Sequence, residues 1–276
     1  MNNNTIFKIK SDSSFSGKGA LWEYFHCLIE FCPRILYHCY SNTLNNLINI
    51  NIILPKHNLI FNHSHPDNIN RTMKHIIDII FDNKINFIYL ETEKLNYPII
   101  PFIKKKKKFE GEDIWCTETI NYYSIFQKYI WNKFVINNVI KNKIILIIKR
   151  GIQKNCTENT NYDLKNGKER RSLENTFFDE IKLYLVSKNK NYVIVELENL
   201  PFQKQVNLFY KSRIVIGIHG GGLSNIIFCE KGTHIIELGE RLVPCYKNLS
   251  EKIDLNYNYL NTKNFEDCKN LLNKII

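Results

Sequence analysis

The sharpest chemical signal in this sequence is a run of three glycines headed by a histidine, His219-Gly220-Gly221-Gly222. It lies between the apolar stretch 214–218 and a second apolar stretch, Leu223 to Phe228. Glycine has no Cβ, so the backbone can turn sharply there and a bulky ligand can come close. If a strand precedes the turn and a helix follows, the first free N–H groups of that helix point at the ligand and suit a pyrophosphate. A close-packed turn without a ligand would satisfy the same pattern. The run is neither the GxGxxG dinucleotide fingerprint nor a P-loop, which ends in GKS or GKT. One apolar stretch later, Glu237 closes the segment His234 to Leu238. A carboxylate at a strand end can accept hydrogen bonds from two vicinal ribose hydroxyls; pairing with Arg241 or capping a helix are the plainer alternatives.

Cations and a candidate base complete the inventory. Lys149 and Arg150 follow the apolar run 143–148, and Arg170 and Arg171 precede a long helical pattern. Cations at those edges could neutralise a diphosphate leaving group, an arginine through a two-pronged contact, although each of the four alone also reads as a surface charge. In the first half, His26 and Glu30 stand four residues apart in a helical pattern, which would place them on one face. His26 can take a proton near neutral pH, with Glu30 orienting it or acting as the base itself; a packed core histidine is the competing reading. His57, His63, His65 and His75, with Asp67 nearby, match neither HExxH nor zinc-finger spacing, so no metal site is expected.

The elements that must position these residues follow from periodicity. Trp22, Phe25 and Ile29 mark a helix over 19–32 that Pro33 ends or kinks. Residues 46–54 read as a strand, 68–81 as a helix and 85–90 as a strand; 122–134 form an aromatic helix. The second half alternates strands and helices: strand 143–148, helix 173–186, strand 192–197, helix 201–210, strand 214–218, a helix from Gly222 and a fourth strand, 234–238. Strands apolar throughout and joined by helices imply a parallel sheet covered on both faces. Ligands in such sheets collect beyond the carboxyl ends of the strands. The polar stretch 151–169 reads as an insertion, and the run Lys104 to Lys108 as a solvated loop.

Composition sets the outer bounds. With 276 residues, 44% hydrophobic and 24% charged, the chain is long and apolar enough for one large α/β unit or two ordinary domains. The eight cysteines form no CxxC pair, which points to scattered reduced thiols. A formal charge of +11 suits nucleic acid, acidic glycans or phosphorylated substrates without choosing among them. Neither a secretory h-region nor an apolar run of membrane-spanning length is visible, so a cytoplasmic setting without a transmembrane anchor is expected.

Several of these segments resemble glycosyltransferase family 61. The stretch Ile216 to Asn225 is similar to the family's His-Gly-Ala-Gly-Leu-Thr-Asn signature, with Gly221 in place of the alanine. Leu200 to Gln205 resembles a segment ending in Glu-Gln, here Lys204 and Gln205. Phe228, Gly232 and Ile236 to Leu238 resemble the continuation. Arg170 to Asn175 resembles an Arg-Arg, Asn-Glu stretch with its last two residues exchanged in kind, and Trp22 to Arg34 an aromatic-His segment ending in Pro-Arg. The resemblance implies a GT-B-like α/β fold of two Rossmann-like halves facing a cleft, the N-terminal one reduced. Residues 1–140 would then form an acceptor-side domain and 141–276 the nucleotide-sugar-binding domain. It further implies inverting transfer from a nucleotide-sugar, a UDP-sugar by first expectation, to a glycan or protein hydroxyl, with no cofactor or metal and in a bacterial-like or viral-like setting. Gln205, His219, Gly220, Gly221, Gly222, Leu223, Asn225 and Glu237 would hold the donor with Arg150 and Arg171, and His26 and Glu30 would serve catalysis. The competing classes are a basic protein on a degenerate glycosyltransferase fold that binds nucleic acid or an acidic polymer, and a nucleotide-dependent oxidoreductase.

Overall fold

In the computed structural model, residues 5–8, 24, 26–33, 35–37, 50–55, 71–90, 121–135, 143–149, 175–239, 242–261 and 264–276 are described. The chain divides into two compact units, Met1–Tyr129 and Ile130–Ile276. The division falls inside a helix, upstream of the boundary expected at 140. Lys104 to Lys108, the stretch 151–169, and His57, His63 and His65 lie outside the described residues.

The first unit carries a three-stranded parallel sheet in the order β1-β2-β3, from β1 (Thr5–Lys8), β2 (Ile50–Pro55) and β3 (Ile85–Leu90). Between β2 and β3 runs α1 (Arg71–Phe81), which buries Met73, Ile76, Ile77, Ile80 and Phe81 at helical spacing. It ends where Asp82 and Asn83 take left-handed angles and the Asn83 N–H reaches back to Asp78 O at 2.9 Å, a Schellman closure. The next helix, α2 (Asn121–Phe134), buries Tyr123, Phe126 and Ile130; Tyr129 Oη donates to Ile80 O at 2.7 Å and so ties it to α1. Residues His26–Phe31 wind as a π-helix, and residues 32–33 and 35–37 are also helical, so Pro33 is itself a helical residue.

The second unit is a five-stranded parallel sheet in the order β5-β4-β6-β7-β8. Its strands are β4 (Ile144–Lys149), β5 (Tyr192–Glu196), β6 (Ser212–Ile218), β7 (His234–Leu238) and β8 (Asn256–Leu260). Counted within the unit this is the 2-1-3-4-5 order of flavodoxin-like sheets, whose switch point lies between the first and third strands. Here those are β4 and β6.

Side chains alternate across each strand, so the two faces separate cleanly. Ile145 and Ile147 of β4, Ile214 and Ile216 of β6, and Ile236 and Leu238 of β7 enter one core with α3 (Asn175–Ser187) and α6 (Phe265–Ile275). From α3 come Phe177, Phe178, Ile181, Tyr184 and Leu185; Phe177 and Tyr184 meet Phe265 of α6 in edge-to-face contacts. The opposite face receives α4 (Phe202–Lys211), the 3₁₀-helix Gly221–Phe228 and α5 (Cys245–Lys252).

Local chemistry fixes the helix ends. Asn264 caps α6 by accepting from the Glu266 N–H at 2.7 Å, with Glu266 and Asp267 in the first turn and Lys274 in the last, as the helix dipole favours. Behind α3, left-handed Asn189 allows Lys190 N to reach Leu185 O at 3.0 Å. Asp254 plays that part behind α5, where Leu255 N reaches Ser250 O at 2.9 Å. Gly232, at φ +79°, turns the chain into β7.

Three outcomes differ from the sequence reading. The helix expected from Gly222 is a 3₁₀-helix, because the chain leaves the turn with a tight Leu223 N to Gly220 O bond of 3.0 Å. The strand 234–238 is not the last, since β8 pairs beyond it. The strand β1 and the helices α5 and α6 also went unread.

Candidate donor site at the glycine turn

β6 delivers His219 and the glycines to the carboxyl edge of the sheet, beside the end of β4. Gly217 and Gly222 are small for a reason visible in the packing. A Cβ on Gly217 would stand 3.2 Å from Ile148 Cδ1 and from Leu223 Cδ2; one on Gly222 would stand 3.1 Å from Leu197 Cδ1. The turn thus packs down onto Ile148 and Leu197. Around Gly220 a Cβ would meet nothing within 4 Å, and Gly221 is exposed, so the outer side of the turn is open.

Gln205 and Asn225 hold the turn from below. The Gln205 amide nitrogen donates to Leu197 O and to Leu200 O, both at 2.9 Å, and its oxygen accepts from Asn225 Nδ2 at 3.1 Å. Asn225 Nδ2 also lies 3.3 Å from Gly222 O, and Asn225 is buried. Lys204, in place of the family's glutamate, is exposed on the same helix. Tyr246 of α5 donates to Gly220 O at 2.5 Å, while Leu223 and Phe228 are buried beneath. Trp131 Nε1 donates to Phe228 O at 3.0 Å and pins the far end of the 3₁₀-helix.

The polar centre of this edge is Glu237. The β6–β7 register pairs Gly217 with Glu237, which places the carboxylate on the face away from α3 and α6 and next to His219. Its Oε1 lies 2.6 Å from His219 Nδ1, and its Oε2 accepts from Tyr257 Oη at 2.6 Å. Glu237 is 0% exposed, whereas the His219 side chain is 24% exposed. Two short hydrogen bonds compensate a carboxylate withdrawn from water. Burial, reinforced by the bond to Glu237, pushes the Tyr257 hydroxyl far above the ordinary tyrosine range, so it remains a donor. The Tyr246 ring stands 5.2 Å from the His219 ring.

Of the residues singled out from sequence, the structure brings together Gln205, His219, Gly220, Gly221, Gly222, Leu223, Asn225 and Glu237. Arg150 and Arg171 lie outside the described residues, as does Arg241. Lys149 sits over the Phe178 ring at 5.4 Å, on the α3 face of the sheet and away from Glu237. The backbones of His26 and Glu30 belong to the π-helical turn, so the one-face argument made for four-residue spacing in an α-helix does not transfer to them. Tyr257 and Tyr246 were not anticipated. The Asn-Tyr-Asn-Tyr alternation at 256–259 is the signal that could have flagged a strand carrying tyrosines on one face. Among the described residues there is no group of three or more His, Cys, Asp or Glu side chains arranged to hold a metal ion. Cys27, Cys32, Cys229, Cys245 and Cys268 are free thiols, with burial pushing the Cys229 thiol up.

A parallel sheet with an open glycine turn at its switch point defines an α/β unit of the kind that gathers ligands beyond its strand ends. The family model described as Glycosyltransferase 61 matches residues 24–236, well over half of the chain, and the protein belongs to that family. It is accordingly a glycosyltransferase, with a sugar donor and an acceptor as substrates, which sets aside the oxidoreductase alternative. No curated protein matches this chain. Among the described residues no helix is long and apolar enough to cross a membrane.

Proposed function

We propose that the protein is an inverting glycosyltransferase that moves a sugar from a nucleotide-sugar, a UDP-sugar in the first instance, to a hydroxyl of a glycan or protein. The second unit binds the donor and the first serves the acceptor, in a GT-B-like division of labour, within the cytoplasm of a bacterial-like or viral-like system. The observation that carries this reading is the open outer side of the Gly220 to Leu223 turn, which leads into a 3₁₀-helix at the switch point of a parallel sheet. Backbone N–H groups at the start of that helix suit the donor's diphosphate. Arg150 and Arg171 supply cationic charge, so transfer needs no metal ion and survives a chelator.

The acceptor oxygen attacks the anomeric carbon from the face opposite the diphosphate, the carbon–oxygen bond to phosphate breaks, and its electron pair leaves with the phosphate. The acceptor proton goes to His26, or to Glu30 if His26 is a packing residue. Donors fixed before the reaction hold the developing phosphate charge better than they hold the substrate, which is what lowers the barrier.

Calorimetric titration with UDP-, GDP- and CMP-sugars tests the site. One of them is expected to bind the wild type and to lose measurable affinity for Gly221→Leu, where an exposed backbone position gains a bulky side chain. Equal affinity in both proteins would remove the diphosphate from the turn.

A further inference from the structure

His219, Glu237 and Tyr257 come from three adjacent elements, the end of β6, β7 and β8, and form one continuous hydrogen-bonded chain. Its inner end is closed. Both carboxylate oxygens of Glu237 already accept a short hydrogen bond, and the residue has no exposed surface to offer a pair of ribose hydroxyls. Its outer end is open: Nδ1 of His219 is taken by Glu237, and Nε2 makes no hydrogen bond among the described residues. The Tyr246 ring stands 5.2 Å from the imidazole, and the backbone N–H of His219 donates to Leu238 O at 3.3 Å.

We propose that Glu237 is a positioning residue which, with Tyr257, holds His219 so that its Nε2–H meets a phosphate oxygen of the leaving nucleoside diphosphate. This rests on the reading that the donor's diphosphate lies on the glycine turn. A carboxylate has only acceptors, so Nδ1 must carry a hydrogen toward Glu237. A diphosphate at the turn then puts negative charge at both ends of the ring, and the imidazolium, with an N–H on each nitrogen, satisfies both. In the transfer step the sugar–phosphate bond breaks, its electron pair passes to the phosphate oxygen, and the Nε2–H hydrogen bond to the phosphate strengthens as that charge appears. The acceptor's proton leaves by another route, so His219 ends the step in the form in which it began. Tyr257 supports from behind: its hydroxyl takes up the second carboxylate oxygen and leaves the first for the histidine.

The experiment uses the full chain and has a spectroscopic and a kinetic arm. In protein with 15N-labelled histidine rings, the His219 resonances are assigned by their loss in His219→Gln. Saturation with UDP, or with GDP if that is the nucleotide bound, is expected to shift the Nε2 resonance. In the kinetic arm, His219→Ala is expected to lower kcat about 10²- to 10³-fold, as removal of one preorganised donor does. Glu237→Gln keeps the shape and loses the charge, and its kcat is expected to fall about 10- to 100-fold, the range for a lost charged hydrogen bond. The donor KM should move by less than about twofold, since an interaction made chiefly in the transition state is what is lost. The double variant should lose no more than His219→Ala alone, because the carboxylate acts only through the histidine. If Glu237→Gln does not fold, Tyr257→Phe, which removes one hydroxyl, should lower kcat in the same sense with unchanged KM. A raised donor KM with unchanged kcat in these variants would return Glu237 to the ribose and overturn the proposal. A bound nucleotide that leaves Nε2 unmoved would overturn it too while the donor site stands. Failure of every nucleoside diphosphate to bind would remove the donor reading and this proposal together.

Discussion

Replacing Gln205 separates a residue that builds the site from one that touches the ligand. Its carboxamide makes three hydrogen bonds, two donated to Leu197 O and Leu200 O at 2.9 Å and one accepted from Asn225 Nδ2 at 3.1 Å. At about 1 kcal/mol for each bond the gross loss in Gln205→Ala is about 3 kcal/mol. Rotamer freedom returned by removing a glutamine offsets up to about 1.5 kcal/mol of that. The net cost is therefore about 1.5–3 kcal/mol, or about 3–10 °C in Tm for a unit of this size. Gln205→Glu is the sharper variant. It fits the same space, yet it presents acceptors to two backbone carbonyl oxygens, so it should be at least as destabilising as the alanine. Scanning calorimetry of the full chain measures both, alongside titration with the donor. Full stability in Gln205→Glu, or loss of donor affinity in Gln205→Ala without loss of stability, would show that the amide serves the ligand and not the turn.

Other perturbations test separate parts of the reasoning. His26→Ala is expected to lose about 10²- to 10⁴-fold in kcat with donor affinity kept, as loss of a general base does; near-full turnover would make His26 a packing residue and turn attention to Glu30. His234 has a buried Nδ1 with no hydrogen-bond partner, and burial holds its pKa below the ordinary histidine value of about 6.5. The unfolded ring therefore takes up a proton more readily than the folded one. Its contribution to stability is complete above about pH 6.5 and declines as the pH falls below it. Denaturant titrations between about pH 7 and 5 should show a shallower decline in His234→Gln; an identical pH slope would refute the assignment. Trp131→Phe removes the bond to Phe228 O and should cost about 1 kcal/mol, read as a lower denaturant midpoint at unchanged slope; an unchanged midpoint would mean the 3₁₀-helix is held without it.

How far the sequence reached depended on what carried each signal. Strands such as Ile144–Lys149, aliphatic at five of six positions, and His234–Leu238, with Ile235, Ile236 and Leu238, announce themselves because their central residues are buried on both faces. The helix Asn175–Ser187 shows itself through Phe177, Ile181 and Tyr184. β8 escaped because its apolar content is tyrosine alternating with asparagine, the pattern of an edge strand with one polar face. The helix Cys245–Lys252 escaped because it buries only Tyr246, Leu249 and Ser250. At the site, His219 and Glu237 could each be singled out from the sequence, but their hydrogen-bonded partnership could not. The two lie 18 residues apart, and only the pairing of Gly217 with Glu237 brings them to hydrogen-bonding distance. Gln205 likewise looked like a ligand contact, and nothing in its neighbours indicates that its amide faces inward to Leu197 and Leu200.

The alternation in β8 ties the fidelity of folding to the chemistry. Tyr257 and Tyr259 share one face, where their hydroxyls reach Glu237 and Gly239 O; Asn256 and Asn258 alternate with them. Hydrophobic burial polices the register of the central strands, but an edge strand this polar loses little apolar contact by slipping one residue. What it does lose is the tyrosine behind Glu237, which leaves a carboxylate in the interior short of a partner. A misaligned edge is thus penalised through the same carboxylate that steadies His219. A molecule with the wrong strand register and one with an unsupported histidine are the same molecule.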